Sequence, residues 1–202
     1  MTQVAAPAAA RVGPNAIIRV AEVLREVGEP DSLSLILTAA GLAPYLDALP
    51  EEMVEEHEVT RLQEALRTHL GVAQARSVAH DAGLRTGDYL LANRIPKPVQ
   101  RLLKLLPARL ASRILIKAIS RNAWTFVGSG RFAGTPGHPT ELSVVDGPIC
   151  RQAIAAEPIC DFYAGSFERL FSTLVHPNAR VTEVACQAMG APRCVFEVRW
   201  SE

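Results

Sequence analysis

Three thiols near the end of the chain stand where a helix start and a tight hairpin can bring them to one point. Cys160 opens the apolar-periodic run Asp161-Phe-Tyr-Ala-Gly-Ser-Phe, and the free backbone N–H groups of a helix start favour a thiolate. Cys186 and Cys194 lie four residues to either side of Gly190. If Met189-Gly190-Ala191-Pro192 forms the turn, the two oppose each other across an antiparallel pair, with Cβ atoms roughly 5 Å apart. With Cys150 added, the spacing is Cys150-x9-Cys160-x25-Cys186-x7-Cys194. Zinc takes four N, S or O ligands in a tetrahedral array, often thiolates from a hairpin and a helix start. No Cys-x2-Cys knuckle is present, and free cysteine is among the most buried residue types, so the same thiols also read as small core hydrophobes. Iron–sulfur sites cluster their cysteines much more tightly.

Two other patterns invite a chemical reading. Gly128-Ser-Gly130-Arg-Phe-Ala-Gly134 runs one residue longer than a dinucleotide loop, and Thr-Pro-Gly-His-Pro follows where a helix should begin. Without that helix N-terminus nothing holds a pyrophosphate, so the segment reads as a hairpin strand. Arg109, Arg113, Lys117 and Arg121 repeat every four residues and stack along one helix face, with Leu110, Ile114, Leu115 and Ile119 expected to supply the core face. No acidic residue occurs between Asp88 and Glu141, whereas Glu51, Glu52, Glu55, Glu56 and Glu58 crowd the stretch from Asp47 to Glu58. The basic stripe is either a solvated face or a contact for ligand carboxylates, an acidic protein surface or lipid headgroups. Nucleic acid is a poor match, because no aromatics interleave with the cations. His69 and His80 fall on a long helix, His57 in an acidic helix start, and no Ser/His/Asp or Cys/His arrangement is legible.

The elements that must position these residues follow from periodicity and breakers. Gly13-Pro14-Asn15 starts a helix ending near Gly28, and Pro30-Asp31-Ser32 opens a second that stops at Gly41. Pro44 to Pro50 reads as a loop. The longest helix runs from His57 to about Ala82, carried by Val59, Leu62, Leu66, Leu70 and Ala73. Two basic amphipathic helices occupy about 98–106 and 108–122. Strands are expected over 125–132 and 141–145, a short helix over 149–157, a helix over 160–175, and strands over 179–187 and 193–200. Parity places Cys194, Phe196, Val198 and Trp200 on one face of the last strand, and Thr182, Val184 and Cys186 together on its partner, opposite Glu183. The fold class is therefore α+β: an antiparallel four-stranded sheet packed against helices, with an N-terminal helical extension over 1–56 and the main domain over 57–202.

Composition agrees with one globular domain of 202 residues: 49% are hydrophobic, and 21 Lys+Arg balance 21 Asp+Glu, so net charge indicates no nucleic-acid partner. The opening residues lack a basic n-region and a Leu-rich core and read as a flexible lead-in. No run approaches the ~18 apolar residues of a membrane span. Four cysteines without a secretory signal suit a reducing cytoplasm.

Cys160-Asp-Phe-Tyr163-Ala-Gly165-Ser-Phe, followed by Val181-x-Glu183-x-x-Cys186-x-x-x-Gly190-x-x-x-Cys194-x-Phe196, resembles the signature of the V4R (4-vinyl reductase) domain family over roughly residues 60–200. Arg11-Val-Gly-Pro-Asn-Ala16 and Ala123-Trp-Thr-Phe-Val-Gly-Ser-Gly130 narrow the resemblance to the members concerned with bacteriochlorophyll. The resemblance implies a fold shared with Bet3-type transport subunits and aromatic-responsive sensors. It also implies a role at the 8-vinyl (older numbering, 4-vinyl) reduction of a divinyl protochlorophyllide or Mg-protoporphyrin. Some V4R sensors hold zinc through three cysteines matching Cys160, Cys186 and Cys194, plus a glutamate; here the fourth ligand is either Cys150 or Glu141.

Vinyl reduction needs an electron donor, and no NAD(P), flavin or iron–sulfur motif is found. The residues thus favour binding and carrying a magnesium-tetrapyrrole; the alternatives are the reductase itself or a scaffold, with other pathway enzymes or a second copy as partners and at most peripheral membrane contact. Phe126, Phe132, Tyr163 and Phe167 are the expected ring contacts, and Arg113, Lys117, Arg121 and Arg131 the expected partners of propionates.

Overall fold

The computed structural model describes residues 10–27, 29 and 31–201. The expected lead-in and the helix punctuation at Gly28 and Pro30 lie outside the described residues. Strand β1 (Arg11–Val12) pairs antiparallel with β2 (Val54–Glu55), a ribbon too short for alternation to announce. Between them lie α1 (Asn15–Val27), α2 (Ser32–Ala39) and a 3-10 turn over Ala43–Leu46. Helix α1 forms where Ile17, Val20, Ala21 and Leu24 recur at spacings of three and four and are buried together.

Helix α3 (Glu56–Asn93) runs eleven residues beyond the expected stop at Ala82, and Gly71 interrupts it with φ 74 and ψ 163. Helices α4 (Lys97–Leu105) and α5 (Ala108–Arg121) flank Pro107 as expected. The core face of α5 differs from the sequence reading. Ala111, Leu115, Ile116 and Ile119 are buried, while Leu110 and Ile114 are exposed beside the basic stripe. Helical spacing alone permitted either arc, and packing against the sheet selected the one with smaller residues.

The strand expected at 125–132 is instead a short helix, α6 (Trp124–Val127), followed by β3 (Arg131–Thr135). Gly128, at φ 59 and ψ −120, breaks the chain between them. The Glu56 carboxylate then fixes the next residue, accepting from Ser129 N–H at 2.8 Å and Ser129 Oγ at 2.7 Å. The other strands are β4 (Thr140–Val145), β5 (Arg180–Ala185) and β6 (Cys194–Arg199), and α7 (Asp161–Leu174) precedes β5. No helix forms over 149–157. Pro148 and Pro158 bracket that stretch, Gln152 takes φ 60, and Arg151 is drawn aside to Glu56 at 2.5 Å and to the Asp146 carbonyl.

The sheet order is β3-β4-β6-β5, antiparallel throughout. Leu142, Val144, Cys194, Phe196 and Val198 face inward and are buried. Helix α7 covers that face and α3 covers α7. The two helices cross almost backbone to backbone: a Cβ on Gly83 would lie 2.3 Å from the Phe162 carbonyl oxygen, and one on Gly165 would lie 2.3 Å from that of His80. Residues from α1, α2 and the sheet belong to one hydrophobic cluster.

Candidate functional site

Four thiols converge at the end of the sheet where α7 begins. Cys160 is the N-cap of α7, Cys194 is the first residue of β6, Cys186 follows β5, and Cys150 descends from the loop after β4. All four are buried, and their sulfurs lie within 4.8 Å of one another. The Sγ separations are 3.4 Å for Cys150–Cys194, 3.5 Å for Cys160–Cys194, and 3.9 Å for both Cys160–Cys186 and Cys186–Cys194. Sulfurs bound tetrahedrally at about 2.3 Å from zinc stand roughly 3.8 Å apart, so the array fits that ion closely.

The hairpin carrying two of the ligands is not the tight turn expected. A 3-10 turn over Gln187–Met189 leads to Gly190 in the left-handed region at φ 86, where glycine alone is unstrained. The Gln187 side chain clips this turn to the end of β4, accepting from Asp146 N–H at 2.8 Å and donating to Asp146 Oδ1 at 3.2 Å. Gln187 N–H also donates to Cys194 Sγ at 3.4 Å, as backbone amides do around metal-bound thiolates.

Electrostatically the cluster is incomplete by itself. Hydrogen bonds from the other three thiols hold Cys186 well below the usual thiol range. Burial pushes Cys160 well above it, and the Cys150 contact pushes Cys194 up. The Cys160 contact also holds Cys150 down, so two of the sulfurs are pushed toward the thiolate and two away from it; a divalent cation would let all four ionise. Arg67 on α3 lies close enough for its charge to favour the Cys160 and Cys150 thiolates, although burial pulls its own pKa down.

Sequence reasoning missed a carboxylate. Glu141 pairs with Arg193 at 3.1 Å in an exposed contact and stands apart from the cysteines. Glu183 faces them instead: its Oε2 accepts from Cys160 N–H at 2.8 Å, and its Oε1 is buried without a hydrogen-bond partner. Burial, followed by the neighbouring Cys186 sulfur, raises its pKa to about 9. The parity reading placed Glu183 on the face away from Cys186. A bulge between Glu183 and Ala185 resets the alternation, turning Val184 outward at 51% exposure and both Glu183 and Cys186 inward.

The expected ring contacts also meet. Phe126 from α6, Phe132 from β3, and Tyr163 and Phe167 from α7 form one aromatic cluster. Its centroid separations are 5.6 Å for Phe126–Phe132, 5.9 Å for Phe126–Tyr163 and 5.8 Å for Phe132–Phe167. Tyr163 Oη donates to the Phe126 carbonyl at 3.0 Å. Tyr163 and Phe167 are buried, Phe126 and Phe132 half-buried. The rings thus lie against one another in the region where an open apolar cleft between the basic helices and the sheet was expected. Helix α5 lids the same region: Ile116 packs where a Cβ on Gly134 would lie 2.5 Å away. Arg113, Lys117, Arg121 and Arg131 are exposed on the outer faces of α5 and β3, not directed among the rings. His57 and His69 are exposed; His80 is half-buried beside a groove of about 320 Å³ with Arg76, Glu157 and Asp161.

Comparison with known proteins adds three findings. The family model described as the V4R domain matches residues 140–200, which contain β4, Cys150, α7 and the remaining thiols. The "Bacteriochlorophyll synthase 23 kDa chain" of Cereibacter sphaeroides is 43% identical over 93% of this chain and 90% of its own length. The protein of the same description from Rhodobacter capsulatus is 39% identical over 92% and 85%. Among solved structures the fold is similar to an H-NOX domain studied for haem distortion (TM-score 0.58, 15% identity, 94% of this chain and 95% of that one). It is similar also to trafficking protein particle complex subunit 3 of Naegleria fowleri bound to palmitic acid (TM-score 0.51, 12% identity, 73% and 95%) and to the phenol-responsive domain of PoxR (TM-score 0.50, 16%, 74% and 78%). At these identities the likeness concerns the fold, and it supports the α+β, Bet3-like architecture.

Proposed function

The chain belongs to the family of the bacteriochlorophyll synthase 23 kDa chains, and on that premise we propose that it serves bacteriochlorophyll biosynthesis by binding and carrying a magnesium-tetrapyrrole in the cytoplasm. The stage proposed is that of 8-vinyl reduction, with a divinyl protochlorophyllide or Mg-protoporphyrin as cargo. The observation that carries this reading is the aromatic cluster, whose half-buried outer rings, Phe126 and Phe132, sit beside the lid made by α5. A flat macrocycle entering there exchanges ring–ring contacts for ring–macrocycle contacts, and each face it covers is apolar. The exposed Arg113, Lys117, Arg121 and Arg131 would meet propionate groups at the rim.

The thiol cluster has a separate task in this reading. Cys150, Cys160, Cys186 and Cys194 would hold zinc with four thiolates, as structural zinc is held, with no position left for substrate. When bound it supplies charge neutralisation and a cross-link. The residues themselves tie the start of α7, the β5–β6 hairpin and the loop after β4 together, fixing the helix that carries Tyr163 and Phe167. The relatives' description as one chain of a synthase supports partnership with other pathway enzymes.

Titration of the isolated protein with Mg-protoporphyrin and protochlorophyllide tests the carrier role. Tryptophan emission should quench and the Soret band should shift, with saturation below tens of micromolar, an order-of-magnitude threshold for specific binding. No shift at that concentration overturns the reading. So does turnover of divinyl substrate with NADPH, flavin or reduced ferredoxin and no second protein, which would make the chain the reductase.

A further inference from the structure

Helices α4 and α5 turn one side to the body of the protein, through Gln100 and Leu103 of α4 and Ala111, Leu115, Ile116 and Ile119 of α5. Their other side is not the polar surface of a solvated helix pair. Leu105 is 84% exposed and Leu102 56%, and Val99, Leu110 and Ile114 are exposed with them. Lys97, Arg101, Lys104, Arg113, Lys117 and Arg121 interleave with these aliphatics; all are exposed, and none forms an ion pair among the described residues. The segment between Asp88 and Glu141 that carries them contains no acidic residue.

We infer that this helical hairpin is a membrane-docking surface that lies in the headgroup plane of an anionic bilayer, its aliphatics dipped to the acyl boundary and its cations on lipid phosphates. Angular spacing supports it. At about 100° per residue, Leu102 and Leu105 share an arc of α4 bordered by Arg101 and Lys104, and on α5 Leu110 and Ile114 run in line with Lys117 and Arg121. No helix among the described residues is long and apolar enough to cross a membrane, so the contact is in-plane. A second copy docked symmetrically through this face would press its cations against their own images. Protein interfaces favour aromatics at their centre, whereas α4 and α5 offer Leu, Ile and Val among lysines and arginines and no aromatic residue. The inference does not depend on pigment binding.

Flotation of the full chain with vesicles tests it, using phosphatidylcholine alone or phosphatidylcholine mixed with phosphatidylglycerol. The protein should float only with phosphatidylglycerol present, and less as salt is raised. Arg101→Gln with Lys104→Gln should weaken binding about thirtyfold at low salt, near fivefold per cation. Leu102→Ser and Leu105→Ser should each cost about tenfold. Because all four side chains are exposed, thermal midpoints should match the parent. Absence of flotation with phosphatidylglycerol vesicles at low salt overturns the inference, as does equal binding by the variants. A charge variant that floats normally but no longer co-purifies with the pathway's enzymes would make the face a protein dock, also overturning it.

Discussion

The thiol cluster and the aromatic cluster both lean on α7, Cys160 at its cap and Tyr163 and Phe167 one and two turns further on, yet they are finished to different degrees. The rings satisfy one another: they meet edge to face, tilted or stacked, and the one hydroxyl among them has a carbonyl. The thiols do not. Two of the four sulfurs are pushed toward the thiolate and two away from it, and a carboxyl oxygen beside them lacks a partner. A group that is unsatisfied alone demands a permanent occupant, whereas a group that is satisfied alone admits a temporary one by rearranging. On the proposed reading, one helix would carry both a resident-ion site and an exchangeable-ligand site.

Removing a ligand from the thiol cluster should therefore have the largest consequence. Elemental analysis should give about one zinc per chain, and Cys194→Ser should bring it near zero. Thermal unfolding should then fall by on the order of 8–16 °C, the equivalent of about 4 kcal/mol for a site held at a thousandfold its Kd. A fully folded, metal-free parent would erase the contrast between the clusters. Phe132→Ala probes the other side. This half-buried ring should cost about 2 kcal/mol in denaturant melts, less than a full core deletion, while weakening pigment binding roughly tenfold. A stability loss without an affinity loss would make the rings core alone. The smallest effect sharpens the ligand set: with Cys150 as fourth ligand, Glu183→Gln should leave zinc stoichiometry at one and shift stability by about 1 kcal/mol or less. Loss of metal in that variant, with metal kept in Cys150→Ser, would transfer the fourth position to the carboxylate.

Much of this was legible in the residues. The spacing about Gly190 announced that Cys186 and Cys194 meet, and the apolar period after Cys160 announced the helix that brings the third thiol. Tyr163 and Phe167, four apart, share a helix face that periodicity fixes, whereas the pattern around Phe126 reads as a strand, and the sequence marks the rings only as contacts of a ligand, not of one another. What failed was wherever an irregularity reset that count. The bulge at Glu183/Ala185 reversed strand parity and hid a buried acid as a surface residue. Gly128 converted a β-prone stretch, Thr-Phe-Val, into a helical turn by accepting a backbone geometry that strands exclude. On α5 two apolar arcs competed, and the choice between Leu110 and Ala111 rested on what the sheet offered opposite, through Gly134. Local pattern determines an element; its phase depends on contacts distant in sequence.

The interruption at Gly71 has a consequence for how the molecule opens. A φ of 74 with ψ 163 is a conformation essentially reserved for glycine, and it ends one helical hydrogen-bond ladder and starts another. The thirty-eight residues that look like one rod are thus two helical segments sharing a joint. Fraying that begins in either half should stop there, and amide exchange before and after residue 71 should then report separate opening events.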